Sequence, residues 1–483
     1  MRNIDYKLAL LIPVLAMLIL LFTGILGFVM RLSQANILTI DPSLFYTILT
    51  FHGLVNVTIF FLAPFTMARY LLSRYIELSR MASIVSWGLI VTGLIGVATS
   101  ILLGGLAFGW YFLYPIEFYG PWPRWATLLW LISMILIGLG ALIIAIDNIR
   151  GMVSRYGLSR SLGWHYISGS IDVEVQPIIV ISMASSIICV SALISGAELL
   201  INMTLEYLGI IDGLDPLYAK NETFMFGHSL ANLAMLYALA SVYEVMPRYS
   251  GKPWKTSWMV AVAWNIAVIY VILAMFHHLF QDYAQPLFRH LLGNIFSWVA
   301  PIPAIAVTIL GAYSQIYSHR VNRGEWDMVP AYILAGLTSF IIGGWAAVID
   351  ATPPANARFH NTLWVPGHFH TYFSYGVVVM SIALLWHLYW EHGVGSLKRG
   401  QWIKIIYLMS IGWALHVLSF YLGGLFSIPR RYMVYSFLPG GATVMGANLA
   451  IISIMGIIIY SIGYIPLLYY SIRSLIGLVG RRW

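Results

Sequence analysis

The feature that most constrains this chain is a succession of long apolar runs. About 20 consecutive apolar residues are needed to cross the hydrocarbon core of a bilayer. Runs of this kind recur twelve times, and they begin near Leu8, Ser43, Ile84, Ala126, Val175, Thr223, Ser257, Leu291, Pro330, Leu363, Trp402 and Met445. The sequence therefore predicts an all-α fold, a polytopic membrane bundle of about twelve transmembrane helices.

The composition agrees with a membrane protein and excludes several other classes. Only 9% of the 483 residues are charged and 60% are hydrophobic, whereas soluble domains carry about 25% charged residues. The single cysteine, Cys189, excludes a disulfide framework and any multi-cysteine metal site. The first run, residues 8–30, is long enough to remain as a membrane helix. Because no polar domain interrupts the pattern, we expect one membrane domain over residues 1–483.

The distribution of basic residues predicts the topology. With a cytoplasmic N-terminus, the inner side receives nineteen of the 26 Lys and Arg residues. The outer loops then keep seven, which are Arg31, Arg124, Lys220, Arg289, Arg358, Arg430 and Arg431. The positive-inside rule therefore predicts a multi-pass protein of the cell membrane with both termini in the cytoplasm. The net charge of +8 reflects this topology and contact with the lipid bilayer, and we expect no nucleic-acid partner.

Two histidines stand close together at the start of the tenth run. His368 and His370 belong to the segment Val-Pro-Gly-His-Phe-His. Side chains two residues apart on a helix point about 200° apart, so these imidazoles face opposite sides. One helix could therefore hold two separate large cofactors, one on each side.

Four further histidines lie inside apolar runs, where an imidazole is costly unless it is paired or ligated. For His52 in the second run, a ligand role and a hydrogen-bonded structural role are equally open; Gly53 beside it would let a bulky planar group approach. His228 in the sixth run and the adjacent His277 and His278 in the seventh favour a metal site. Three imidazoles suit copper or iron with an open coordination position.

Arg430 and Arg431 follow the eleventh run on the outer side, against the positive-inside bias. Such a pair is expected to meet negative charge. Guanidinium groups bind carboxylates in a bidentate manner, and the propionates of a haem are natural partners. Lipid phosphates or outer acids such as Asp282 are the alternative.

These six histidines divide in a way that matches two haems and a metal. A low-spin haem takes two axial imidazoles and a substrate-binding haem takes one, which leaves three for the second metal. The chain resembles catalytic subunit I of the haem–copper oxygen reductase and nitric oxide reductase superfamily, most closely its B-type branch. The resemblance implies a low-spin haem on His52 and His370, a high-spin haem on His368, a copper or non-haem iron on His228, His277 and His278, and propionates at Arg430 and Arg431.

One position departs from that family pattern. In A-type and B-type oxygen reductases, a tyrosine stands four residues after the first metal-binding histidine and is bonded to it. Here that position is Asn232, one helical turn from His228 and facing the same site. In the family, the tyrosine supplies one of the four electrons that split O2, whereas reducing two NO molecules takes only two. We therefore expect a nitric oxide reductase with Asn232 and His368 at the catalytic site.

Two alternatives stay open beside nitric oxide reduction. The first is a terminal oxygen reductase, a cytochrome c or quinol oxidase, that works without the cross-linked tyrosine or recruits Tyr270. Tyr243 matches a B-type proton-path tyrosine, but in the eighth run the hydroxyl companions look absent before Thr308. The second is a transporter or haem-carrying protein without redox turnover, which the clustering of the histidines argues against.

Electrons must reach this chain from another protein or from quinol. The sequence has no cysteine pair for a binuclear copper centre and no CxxCH motif for attached haem. We expect a smaller electron-delivering subunit II with a copper or cytochrome domain, and cytochrome c, a cupredoxin or quinol as the donor. Ring substituents leave no ligand signature, so the haem type stays open.

Overall fold

The twelve predicted helices are present. The structure is a computed structural model that describes residues 4–110, 113–299, 301–323, 326–395 and 397–482. Within these ranges, twelve helices are long and apolar enough to cross a membrane. Numbered in chain order as spans 1 to 12, they are Ile4–Gln34, Pro42–Leu72, Arg80–Leu102, Arg124–Tyr156, Pro177–Tyr207, Pro216–Ser250, Trp258–Leu279, Leu287–Val321, Met328–Asp350, Trp364–Glu391, Arg399–Leu425 and Gly441–Gly480. The predicted all-α membrane bundle is confirmed, and the single-domain assignment stays a prediction.

Short helical pieces connect or interrupt the spans. Short helices at Ile116–Phe118, Leu158–Ser161, Trp164–Ile167 and Pro353–Phe359 lie between spans. Span 7 tightens into a 3₁₀ turn at Met275–Leu279, and span 10 widens into a π-helical turn at Thr371–Val377. Both irregular turns adjoin histidines that line the central cavity described below, and π turns inside helices are frequent at functional sites.

Polar caps set the start of two spans that carry cavity histidines. The Asp41 side chain accepts hydrogen bonds from the backbone N–H groups of Ser43 and Leu44, and a proline follows at the first helical position. Asp215 caps span 6 in the same way, which satisfies N–H groups that no helical carbonyl can reach. Span 6 therefore begins at Pro216, well before the start predicted near Thr223. The polar residues 220–222 had hidden this first part of the helix from an apolarity pattern.

A buried ionic network joins spans 1, 2 and 4 at the predicted cytoplasmic ends. The guanidinium of Arg69 lies 3.0 Å from Asp5 Oδ1 and 2.7 Å from Asp147 Oδ2. It also donates to Asn148 Oδ1 at 2.6 Å and to Ser83 Oγ at 3.0 Å. All these groups are buried, so each charge depends on its partners for compensation.

Span 10 runs through the middle of the bundle. It is the most deeply buried of the twelve spans, while span 8 lies at the periphery. Its three helical pieces pack against spans 1, 2, 6, 9 and 11. Side chains that leave span 10 on opposite sides therefore enter different parts of the interior.

We predict that Arg69→Met destabilises the folded protein by about 3–5 kcal/mol, because it removes the buried cation that the carboxylates of Asp5 and Asp147 share. Asp147 then keeps its ion pair with Arg150, whose side chain is half exposed. Thermal unfolding of the purified protein in detergent measures the change. Lys255→Met is the matched control, since Lys255 pairs with Glu174 where both side chains are more than half exposed; this variant should unfold close to the wild-type temperature. Equal unfolding temperatures for Arg69→Met and wild type would show that the network is not structural.

Candidate functional site

The centre of the bundle encloses a cavity of about 1400 Å³. Pockets for single small ligands measure about 300–1,000 Å³, so this cavity has room for more than one large group. Eight histidines line it, namely His52, His228, His277, His278, His360, His368, His370 and His416. The structure thus brings together all six histidines singled out from the sequence and adds two.

His52 and His370 face each other across one part of the cavity. Their ring centroids lie 6.2 Å apart and the ring planes differ by 22°. Two imidazoles that each bind a metal at about 2 Å would have ring centres at about this separation. Their Nδ1 atoms lie 2.8 Å from the Thr23 carbonyl and 2.7 Å from the Pro366 carbonyl. A carbonyl only accepts, so Nδ1–H donates in each ring and Nε2 is left as the ligand atom.

The glycine beside His52 has a different role from the one predicted. A Cβ on Gly53 would approach the side chain of Trp110 to 2.3 Å. The absent side chain therefore makes room for this tryptophan and not for a planar cofactor. A Cβ on Gly27 of span 1 would come within 3.1 Å of the His52 ring, so Gly27 is a glycine that lets the helices close around this histidine.

His228, His277 and His278 form a second cluster. One nitrogen from each ring lies within 4.8 Å of the others, an arrangement that could hold a metal ion. The 3₁₀ turn at Met275–Leu279 brings the adjacent His277 and His278 side by side, with ring centroids 4.2 Å apart. His277 Nδ1 lies 2.8 Å from the hydroxyl oxygen of Ser297 in span 8, a support that the sequence pattern did not reveal. His290, left ambiguous by sequence, bonds the Leu279 carbonyl at 3.1 Å and does not line the cavity.

His368 and His370 do turn to different neighbours, as their spacing predicts. The His370 ring stacks on Phe420 at 5.0 Å and faces His52. The His368 ring packs edge-on against Tyr372 at 4.9 Å and lines the cavity together with His228, His277 and His278. One short helical segment thus contributes an imidazole to each half of the cavity.

Asn232 lines the cavity next to the three-histidine cluster. Its amide donates to the backbone carbonyl of His228 at 2.8 Å and lies 3.3 Å from His228 Nε2. This is the placement that the helical spacing predicts. Tyr270, considered from sequence as a substitute tyrosine, is not among the cavity-lining residues, whereas Tyr372 is.

A cationic rim closes one end of the cavity, where Lys220, Arg430 and Arg431 all line the wall. The loop that carries the arginines is fixed to the start of span 10, since Arg430 N–H donates to the Asn361 carbonyl at 3.0 Å and Leu363 N–H donates to Ile428 at 2.9 Å. Arg431 adopts φ 72°, a left-handed conformation that costs a non-glycine residue about 1–3 kcal/mol. Burial and the charges of Arg430, Lys220 and Arg431 lower the pKa of His360 to about 4. His360 is therefore neutral at pH 7, and the rim offers a site for carboxylates.

The comparisons with known proteins decide the family. A model of the family described as cytochrome c and quinol oxidase polypeptide I matches residues 7–459. The chain belongs to this family. Membership implies two haems and a copper. The paired imidazoles, the three-histidine cluster and the cationic rim fit these groups. The family and the twelve apolar helices together make the chain a multi-pass membrane protein.

Individual relatives are distant. A heme-copper oxidase subunit I+III of Aeropyrum pernix is 24% identical over 89% of this chain and 53% of its own length. A cytochrome c oxidase subunit 1 of Thermus thermophilus is 24% identical over 46% of this chain and 42% of its own length. The chain thus spans about half the length of these curated relatives. A solved structure of a heme-copper terminal oxidase dimer has the same fold, with a TM-score of 0.82, 20% identity and coverage of 99% of this chain and 84% of that one.

We predict that His278→Gln abolishes metal binding at the cluster of His228, His277 and His278, because two imidazoles alone bind a metal ion far more weakly than three. Analysis of the purified protein for copper and for iron in excess of haem measures the loss, and it also distinguishes copper from non-haem iron. His290→Gln is the matched control, since His290 lies on the neighbouring helix and bonds a backbone carbonyl. Full metal content in both variants would mean that the cluster is not the binding site.

Proposed function

We propose that this chain is the catalytic subunit of a membrane-bound terminal reductase that transfers electrons to O2 and forms water. The observation that carries the proposal is the placement of six histidines around one cavity, as a facing pair, a cluster of three and His368. The choice of O2 is supported by relatives whose names are cytochrome c oxidase and quinol oxidase. These names favour the oxygen reductase that the sequence analysis held as its alternative, and they give no support to nitric oxide specificity.

In this proposal, His52 and His370 bind a low-spin haem, His368 binds a high-spin haem, and His228, His277 and His278 bind copper. When bound, these groups supply the redox change and the open coordination position for the substrate. The chain orients them: the Thr23 and Pro366 carbonyls fix two imidazoles, and Ser297 fixes a third. Arg430 and Arg431 are positioned to bind the propionates.

Reduction of O2 to two water molecules consumes four electrons and four protons. Polar contacts between spans 6 and 8 offer a route for protons from the predicted cytoplasmic side. The hydroxyls of Tyr243 and Thr308 lie 2.9 Å apart, and nearer that end Ser250 donates to Gln315. The sequence pattern had pointed to missing hydroxyl partners in span 8, yet Thr308 is in contact with Tyr243.

Nitric oxide reduction is the second candidate, and Asn232 is the observation that favours it. Two NO molecules, two electrons and two protons give N2O and water, so the metals alone can supply the electrons. The Asn232 amide beside His228 can hold a bound nitrogen oxide through a hydrogen bond. It ranks second because the named relatives are oxidases.

Asn232 stands where A-type and B-type oxygen reductases have the tyrosine that supplies one electron to O2. Oxygen reduction by this chain therefore needs another side chain at the site to supply that electron, and Tyr372 is our candidate. Its ring contacts that of His368, and it lines the cavity, so its phenol can release an electron and a proton toward the site.

Electrons reach the complex through a smaller subunit, from cytochrome c, a cupredoxin or quinol. We place the chain in the cell membrane with both termini in the cytoplasm.

We predict that the purified complex consumes O2 faster than it forms N2O from NO, both measured on the same preparation with the same electron donor. Negligible O2 uptake with rapid N2O formation would replace the first candidate by the second.

We predict that Tyr372→Phe lowers O2 turnover at least tenfold, which corresponds to a rise of about 1.4 kcal/mol in the activation barrier, while the variant retains the haem absorption spectrum. Tyr270→Phe is the control and should keep its turnover.

A further inference from the structure

A stripe of buried polar side chains lies between spans 6 and 8 and leads toward their predicted cytoplasmic ends. In span 8, Thr308, Gln315 and His319 follow one another at spacings of seven and four residues, which places them on one face of the helix. All three side chains are buried. Tyr243 and Ser250 of span 6 meet this polar stripe, the first at Thr308 and the second at Gln315. His319 is the member of the stripe that lies nearest to the end of span 8.

The imidazole of His319 is completely buried, and both of its nitrogens face oxygen acceptors. Its side chain is 0% exposed. Nδ1 lies 2.9 Å from the backbone carbonyl of Tyr249, and Nε2 lies 3.5 Å from Oδ2 of Asp327. A carbonyl and an ionised carboxylate only accept, so both of them are used only when both ring nitrogens carry a proton. These surroundings therefore accommodate the imidazolium form of His319.

Asp327 connects this buried imidazole to water. It is the residue directly before span 9, and its side chain is 45% exposed. The neighbouring cation on span 8, Arg320, lies over an aromatic ring of the same loop. Among the described residues, Asp327 and Tyr249 are thus the titratable groups that face His319 from other elements.

A second buried histidine contacts the same tyrosine and has different partners. His387 of span 10 has its Nδ1 3.1 Å from the hydroxyl of Tyr249, which can donate to it, and its Nε2 3.3 Å from Oε1 of Glu391. That carboxylate is already paired with Arg74 at 2.6 Å and with Arg248 at 3.1 Å. A neutral imidazole satisfies this position, because one nitrogen can accept and the other can donate. His387 is therefore a structural histidine beside Tyr249.

We propose that His319 is the proton-accepting site through which protons enter this chain from the predicted cytoplasmic side. Asp327 passes a proton from water to Nε2 of His319 and forms the imidazolium. The imidazolium returns to the neutral form when it gives a proton to the polar stripe, whose two hydrogen-bonded pairs lead to the middle of span 8. This inference rests on the proposed function, since it assumes a reductase that consumes protons.

The experiment measures proton uptake by the reduced, purified complex after it is mixed with O2, or with NO if NO is the gas that it reduces. A pH-indicator dye follows the uptake. His319→Gln keeps a polar side chain but cannot carry a proton, so it should slow proton uptake about tenfold and retain the haem absorption spectrum. His319→Ala leaves space for an added imidazole, which should restore the uptake. Asp327→Asn should slow it in the same direction by a smaller factor.

His387→Gln is the matched control, because it also replaces a completely buried histidine that contacts Tyr249. This variant should take up protons at the wild-type rate. Added imidazole should change neither the wild type nor the control, since neither has lost a proton-accepting group.

Wild-type uptake in haem-loaded His319→Gln would overturn the proposal, and so would an equal loss in His387→Gln. A loss in His319→Ala that imidazole does not restore would also overturn it, because that result marks a purely structural histidine. If neither His319 variant retains haem, Asp327→Asn decides: slowed uptake supports the entry site, and unchanged uptake contradicts it. A wild-type complex that reduces neither O2 nor NO would instead remove the proposed function, and this result is obtained before any variant is compared.

Discussion

The structure depends on how polar side chains are accommodated deep inside an apolar bundle. Imidazoles and guanidinium groups are costly there unless they are bonded. The chain meets this cost with backbone carbonyls on one side of each paired ring and leaves the other nitrogen toward the cavity. Thr23 and Pro366 carbonyls do this for His52 and His370. The direction of each ligand nitrogen therefore follows from ordinary helix backbone and not from a dedicated polar scaffold.

Span 10 divides the cavity into two halves, because its two histidines face different sets of residues. It is buried on nearly all sides, and its π turn begins directly after His370. His370 belongs to the half that contains His52, Phe420, His416 and Arg31, and His368 to the half that contains the three-histidine cluster. The loop carrying Arg430 and Arg431 is hydrogen-bonded to the residues just before span 10, so these two arginines and both histidines are positioned by the same segment.

The sequence predicted the fold and the histidines well, because both leave strong local signals. An apolar run must cross the membrane, and a histidine inside such a run needs a reason to be there. The helical spacing also placed Asn232 against His228. The residues that it missed carry no such signal. Arg31 looked like a loop arginine because it stands at the end of a run, although span 1 continues to Gln34 and buries it.

Contacts between distant segments explain the other omissions. Ser297 supports His277 from a separate helix, and Ser453 joins Arg31 to His416 across more than four hundred residues. Gly53 was assigned to a cofactor, but Trp110 occupies the space beside it. The choice of substrate depends on still finer chemistry. It depends on the amide of Asn232 beside His228 and on the phenol of Tyr372 beside His368. A pattern of residue types along the chain does not determine whether these two groups favour O2 or NO as the substrate.

The central claim is that one helix serves two haems, one through each of two histidines. Optical spectra of the reduced protein, with and without carbon monoxide, test it in His370→Ala and His368→Ala. We predict that His370→Ala loses the low-spin haem signal and still binds carbon monoxide, while His368→Ala keeps the low-spin signal and no longer binds carbon monoxide. Variants that lose both signals together, or neither, would contradict the claim that these neighbouring histidines hold separate cofactors.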